Sequence, residues 1–104
     1  MRNFSYVAKL IKEKRLSHPE RYSQTQLSKA LGYKNGQFIS NLERGLCSIP
    51  LKAMVNFLQV LEISENELKS AILKDYELTL NYYLKGNFDT KVVEPKTSSV
   101  IATF

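Results

Sequence analysis

The sequence predicts an all-α chain of five helices, and three observations carry that expectation. Apolar residues recur at three- and four-residue spacing through residues 3–15, 51–61 and 65–85, the period of a helix with one buried face. Helix-starting and helix-stopping residues stand at the edges of these runs, with Ser23, Pro50 and Ser64 at starts and Gly32, Gly45 and Gly86 at stops. β-Branched residues cluster only beyond Gly86, in residues 90–93 and 99–104.

In the first helix, residues 3–15, Phe4, Val7, Leu10 and Ile11 share one face with lysines between them. Ser17-His18-Pro19-Glu20 breaks it, because proline disfavours the α conformation of the residue before it. His18, the only histidine, is expected to be solvated in that loop. The second helix runs from Gln24 to Leu31, with Ser23 as N-cap, Gly32 as its end and Leu27, Ala30 and Leu31 facing inward. The third runs from Gly36 to Arg44 with Asn35 as N-cap and Gly45 closing it, and turns Ile39 and Leu42 inward. Pro50 opens the fourth, whose inward stripe is Leu51, Met54, Val55, Leu58 and Leu61. Ser64 and Glu67 are spaced as a capping box for the fifth, which reaches Lys85 and ends at Gly86.

At 104 residues the chain has room for one domain, taken as residues 1–85, and a tail of residues 86–104. For the tail three states are open: a hairpin, a strand added to a partner, or disorder. No apolar run approaches the roughly 18 residues of a membrane span, and the amphipathic N-terminus lacks a signal-peptide core. The single cysteine, Cys47, excludes an internal disulfide and fits a cytoplasmic protein, with the side chain as a small packing residue. No glycine-rich phosphate loop, catalytic-triad spacing, paired carboxylates or metal-ligand cluster is present, so neither an enzyme nor a cofactor is expected.

The charge is lopsided. Residues 1–50 hold nine Lys/Arg against three Asp/Glu, whereas residues 51–104 hold six against seven. A basic first half beside a near-neutral second half points to a polyanion-facing surface joined to an assembly region.

Residues 23–45 carry the functional signal: two short helices joined by a glycine-containing turn, with amides on the outer face of the second. Such a pair can lay one helix in the DNA major groove while the other braces it. Gln37 and Asn41, four apart, share the outward face, and both side-chain types can pair bidentately with adenine. Ser40 and Arg44 flank them, and Gly36 would let the backbone approach DNA closely. Gln24, in the first turn of its helix, can hold a phosphate with the free backbone N–H groups there. Phe38 is expected to pack beside Tyr33, with contact to a thymine methyl group as its alternative.

The whole arrangement resembles the lambda-repressor-like (Cro/C1-type) helix-turn-helix family over about residues 4–70. The resemblance rests on Ile11-Lys12-Glu13-Lys14-Arg15, on Ser23-Gln24 with Leu27, Ala30, Leu31 and Gly32, on Ile39-Ser40, on Leu42-Glu43-Arg44-Gly45, on Pro50 and on residues 61–68. The link from Arg15 to Ser23 is about two residues longer than the family pattern, and the turn from Gly32 to Ile39 holds one extra residue. The resemblance implies base contacts by Gln37 and Asn41, a phosphate contact by Gln24, and a grip on the backbone by Arg44 with the loop of residues 45–48. Ser40 is placed with the base contacts, and Lys34 and Asn35 with the backbone contacts. It also nominates Arg15–Glu43 as a structural ion pair.

The expected function is therefore sequence-specific binding of double-stranded DNA by a transcriptional regulator, with repression the leading mode and a pseudo-palindromic operator. The apolar surplus of the long last helix, at Tyr76, Leu80 and Tyr83, is the candidate homodimer interface. The alternative is an antitoxin that represses its own operon and binds a toxin, its protein partner, through the C-terminal segment.

Overall fold

The computed structural model describes residues 2–86, and among these the chain is entirely helical. Five α-helices follow in order: α1, Ser5–Ser17; α2, Gln24–Ala30; α3, Gln37–Glu43; α4, Met54–Leu61; and α5, Glu65–Leu84. One turn of 3-10 helix, Leu51–Ala53, leads into α4. The expectations for the tail beyond Gly86 lie outside the described residues. No described helix is long and apolar enough to cross a membrane.

A single apolar cluster joins all five helices. Val7 and Ile11 of α1, Leu27 of α2, Ile39 and Leu42 of α3, Phe57 and Leu61 of α4, and Leu68 and Ala71 of α5 meet there with Ile49 and Ile63. Burying side chains of this size contributes roughly 1.5–3 kcal/mol each before chain entropy is subtracted. The α2–α3 pair is thus fastened by its inner face.

The helix ends are set locally. Ser23 and Gln26 form a capping box: Ser23 Oγ accepts from the Gln26 N–H at 3.0 Å and Gln26 Oε1 accepts from the Ser23 N–H at 2.9 Å. Ser64 and Glu67 repeat the device at α5, each backbone N–H donating to the other side chain at 3.1 Å. Gly32, Gly45 and Gly86 all follow helix ends with positive φ, a region open to glycine without a Cβ clash.

The Glu67 carboxylate also meets Lys14 Nζ at 3.0 Å, and it sits below the ordinary glutamate pKa, chiefly because the Ser64 N–H bonds it and then because of Lys14. A lowered folded pKa means that this contribution is complete above the ordinary value and disappears as pH falls through the folded one. Wild type should therefore exceed Glu67→Gln in denaturant midpoint at neutral pH, with the gap closing on acidification. A gap independent of pH would remove the carboxylate from the account.

Several expected placements change. Leu51 and Val55 are 83% and 60% exposed, and Phe57 takes the core position instead. The 3-10 turn over Leu51–Ala53 shifts the phase of the run, so α4 buries the face of Phe57 and Leu61. Ala30 is exposed, and Ser28 replaces it inside by donating its hydroxyl to the Asn35 carbonyl. Helix α3 begins one residue late, with Gly36 as N-cap, while Asn35 Oδ1 still accepts the Gln37 N–H at 2.9 Å.

His18 is only 8% exposed, contrary to a solvated loop residue. The turn after Pro19 folds back through an Arg21 N–H to His18 carbonyl bond of 2.8 Å and places Arg21 at φ 50°. The imidazole then packs on the Tyr22 ring, centroids 4.9 Å apart, and Nδ1 accepts the Glu20 N–H.

On α5 the buried positions are Leu68, Ala71, Asp75 and Thr79. Tyr76, Leu80 and Tyr83 lie off that line and are exposed. Asp75 reaches the start of α1, its two oxygens accepting the Tyr6 and Val7 N–H groups at 2.7 and 3.0 Å. Thr79 Oγ1 accepts the Asn3 N–H at 2.8 Å. The first turn of α1 is thereby capped from a helix almost seventy residues away in sequence.

Candidate nucleic-acid interface

The α2–α3 pair is held by a polar network as well as by the core. Arg15 Nε and Nη2 donate to the two oxygens of Glu43 at 2.6 and 2.9 Å, a bidentate pair whose Glu43 side chain is 3% exposed. Arg15 Nη1 donates to the Tyr22 carbonyl at 3.0 Å. Gln24 Nε2 donates to Glu43 Oε1 at 3.0 Å. These Glu43 hydrogen bonds, more than its charge, hold the Arg15 guanidinium above its ordinary pKa against the opposing effect of burial. One carboxylate on α3 thus ties α1 and the first turn of α2 together. Gln24 bonds it with one of its two amide N–H groups.

Gly36 has a structural reason to be glycine. A Cβ there would stand 3.1 Å from Thr25 Oγ1 and 3.3 Å from Thr25 N, so the start of α3 nearly touches the first turn of α2. This close approach is to protein backbone, where the sequence pointed to DNA. Phe38 packs between Tyr33 and Phe57, with ring centroids 4.9 and 6.4 Å away. That anchors the outer edge of α3 and the turn before it.

The opposite face of α3 carries a connected polar row. Gln37 Nε2 donates to Asn41 Oδ1 at 2.9 Å, and Arg44 Nη2 donates to the same oxygen at 2.8 Å. Gln37 and Arg44 are exposed, and Asn41 and Ser40 are half-buried. Lys34 and Asn35 are exposed in the turn at the entry of the helix.

A groove of about 450 Å³ continues from the end of this row between α1 and α3, lined by Arg2, Lys9, Lys12 and Arg44 with Phe4 and Gly45. Arg2, which no motif singled out, lies with its guanidinium 4.9 Å from the Phe4 ring centroid. Its sequence position at the edge of the first helix carries no periodic signal, and only the fold brings it beside Arg44. Cys47 follows in the loop after α3, half-buried, and burial pushes its thiol above the ordinary pKa, away from the reactive thiolate. Among the described residues no group of His, Cys, Asp and Glu could hold a metal ion.

On α5, exposed Leu73, Tyr76, Leu80 and Tyr83 follow one another at spacings of three, four and three. This is the repeat of a two-helix seam. At about 100° per residue it lies roughly a quarter-turn from the buried line of Leu68, Asp75 and Thr79.

Comparison with protein-family models, with characterised proteins and with solved structures returns no match.

Proposed function

We propose that this chain is a lambda-repressor-like, sequence-specific regulator of transcription that binds double-stranded DNA as a homodimer. The observation that carries the reading is the Gln37–Asn41–Arg44 row, exposed on a short helix that a second helix braces. In this reading α3 lies in the major groove and Gln37 and Asn41 meet base edges, with Ser40 beside them and Arg44 holding their amides in place. Lys34, Asn35, Arg44 and the second N–H of Gln24 contact the phosphate backbone, and Arg2, Lys9 and Lys12 extend the cationic track along the groove. The Leu73–Tyr83 seam pairs α5 with α5 of a second copy, and two recognition helices then address half-sites about 10 base pairs apart. Occupancy of such a site would repress the promoter that contains it.

Selection of bound sequences from a random duplex pool, at stated salt, tests this reading with the full chain and with residues 1–85. A palindromic consensus supports sequence-specific binding by a dimer, and the absence of enrichment for any sequence would reject it. On the selected site, Gln37→Ala or Asn41→Ala should each cost about 1–3 kcal/mol and relax specificity. Full affinity with unchanged preference in either variant would remove that residue from base reading.

A further inference from the structure

The polar row of α3 has a defined sequence of donors and acceptors. Arginine has only donors, so the Asn41 atom 2.8 Å from Arg44 Nη2 must be the carbonyl oxygen. The Gln37 atom 2.9 Å from that oxygen must in turn be the amide nitrogen. Arg44 thereby sets the orientation of both amides. Both lone pairs of Asn41 Oδ1 are engaged, one by each neighbour, and Asn41 is left with the two N–H groups of Nδ2. Gln37 keeps Oε1 and its second N–H.

Bidentate recognition of adenine requires one side chain to accept from N6 and donate to N7. Gln37 retains that pair of functions, whereas Asn41 presents donors only. Guanine offers two neighbouring acceptors in the major groove, N7 and O6, and donors alone satisfy them. Positions 37 and 41 are about 6 Å apart along the helix, and successive base pairs rise about 3.4 Å. A helix lying along the groove therefore sets the two contacts within about two base-pair steps.

Resting on the DNA-binding reading above, we infer that each half-site holds an adenine read by Gln37 and, within about two steps of it, a guanine read by the Nδ2 donors of Asn41, whose amide Arg44 orients. Asn41 is then a guanine-specifying residue by virtue of Arg44, although asparagine on a recognition helix ordinarily suits adenine. The chemistry of the base edge fixes which bases stand in the site, on either strand.

The test is duplex selection with wild type, Asn41→Asp and Asn41→Ala, all as the full chain. Aspartate can still accept from Gln37 and Arg44 but presents no donor outward, and a carboxylate accepts from cytosine N4. The wild-type half-site should contain the adenine and the nearby guanine. Asn41→Asp should lower the guanine preference at one position about tenfold and move it toward cytosine, with the adenine position unchanged. Asn41→Ala should flatten that same position. A half-site without guanine, or a guanine preference that survives both substitutions, overturns the inference while leaving sequence-specific binding intact. If wild type enriches no sequence, the inference and the DNA-binding reading both fail.

Discussion

Replacing Glu43 with alanine is expected to cost about 3–5 kcal/mol of folding stability, because it leaves the Arg15 guanidinium buried without its counter-ion. Only the Tyr22 carbonyl would still accept from it. Domains of this size have in total roughly 5–15 kcal/mol to lose, so the variant should lie near its unfolding midpoint under mild conditions. Chemical denaturation by urea, followed by circular dichroism, gives the value directly. Joint replacement by Arg15→Met and Glu43→Leu should recover much of the loss, since no unpaired charge remains inside. If Glu43→Ala cost less than about 1 kcal/mol, the pair would be behaving like an exposed surface bridge and would not brace α1 against α3.

The second large effect is expected at Asp75. Its carboxylate accepts the Tyr6 and Val7 N–H groups at the positive end of α1, where a negative charge is favoured by the helix dipole. Asp75→Ala removes both acceptors from partly buried donors and should cost about 2–4 kcal/mol, the sum of two modest desolvation penalties and the lost charge. Asp75→Asn keeps one acceptor and should fall between alanine and wild type. Hydrogen exchange of the first turn of α1 offers a local readout, with faster exchange expected at both Tyr6 and Val7 in the alanine variant and at one of the two in the asparagine variant. Unchanged protection there would assign the stability loss to some other contact.

These residues differ in how far the sequence reveals them. The Arg15–Glu43 pair is nominated by family resemblance, yet its burial and its second partner, Gln24, follow only from the way α1, α2 and α3 converge. Asp75 carries no sequence signal of its role: between Lys74 and Tyr76 it reads as one more surface charge on an amphipathic helix. Its acceptors face the start of α1 because two distant segments pack side by side. His18 illustrates the same limit in reverse. Proline beside it indicates a loop, and loops are usually wet, but the fold-back after Pro19 presses the ring on Tyr22.

Sequence alone determined the elements of this protein and the side chains that mark its outer face. Helical periodicity, the capping residues and the stop glycines are local signals, each depending on neighbours within about four positions. They sufficed to locate five helices and to put Gln37, Asn41 and Arg44 on one side of α3. The tertiary structure decided which apolar positions are truly inside, as the 3-10 turn before α4 shows, and which polar groups the packing occupies. It also decided which donors and acceptors the α2–α3 pair leaves exposed. One residue's hydrogen bonds to its neighbours determine which atoms are left facing outward, and that depends on three-dimensional adjacency that spacing does not encode.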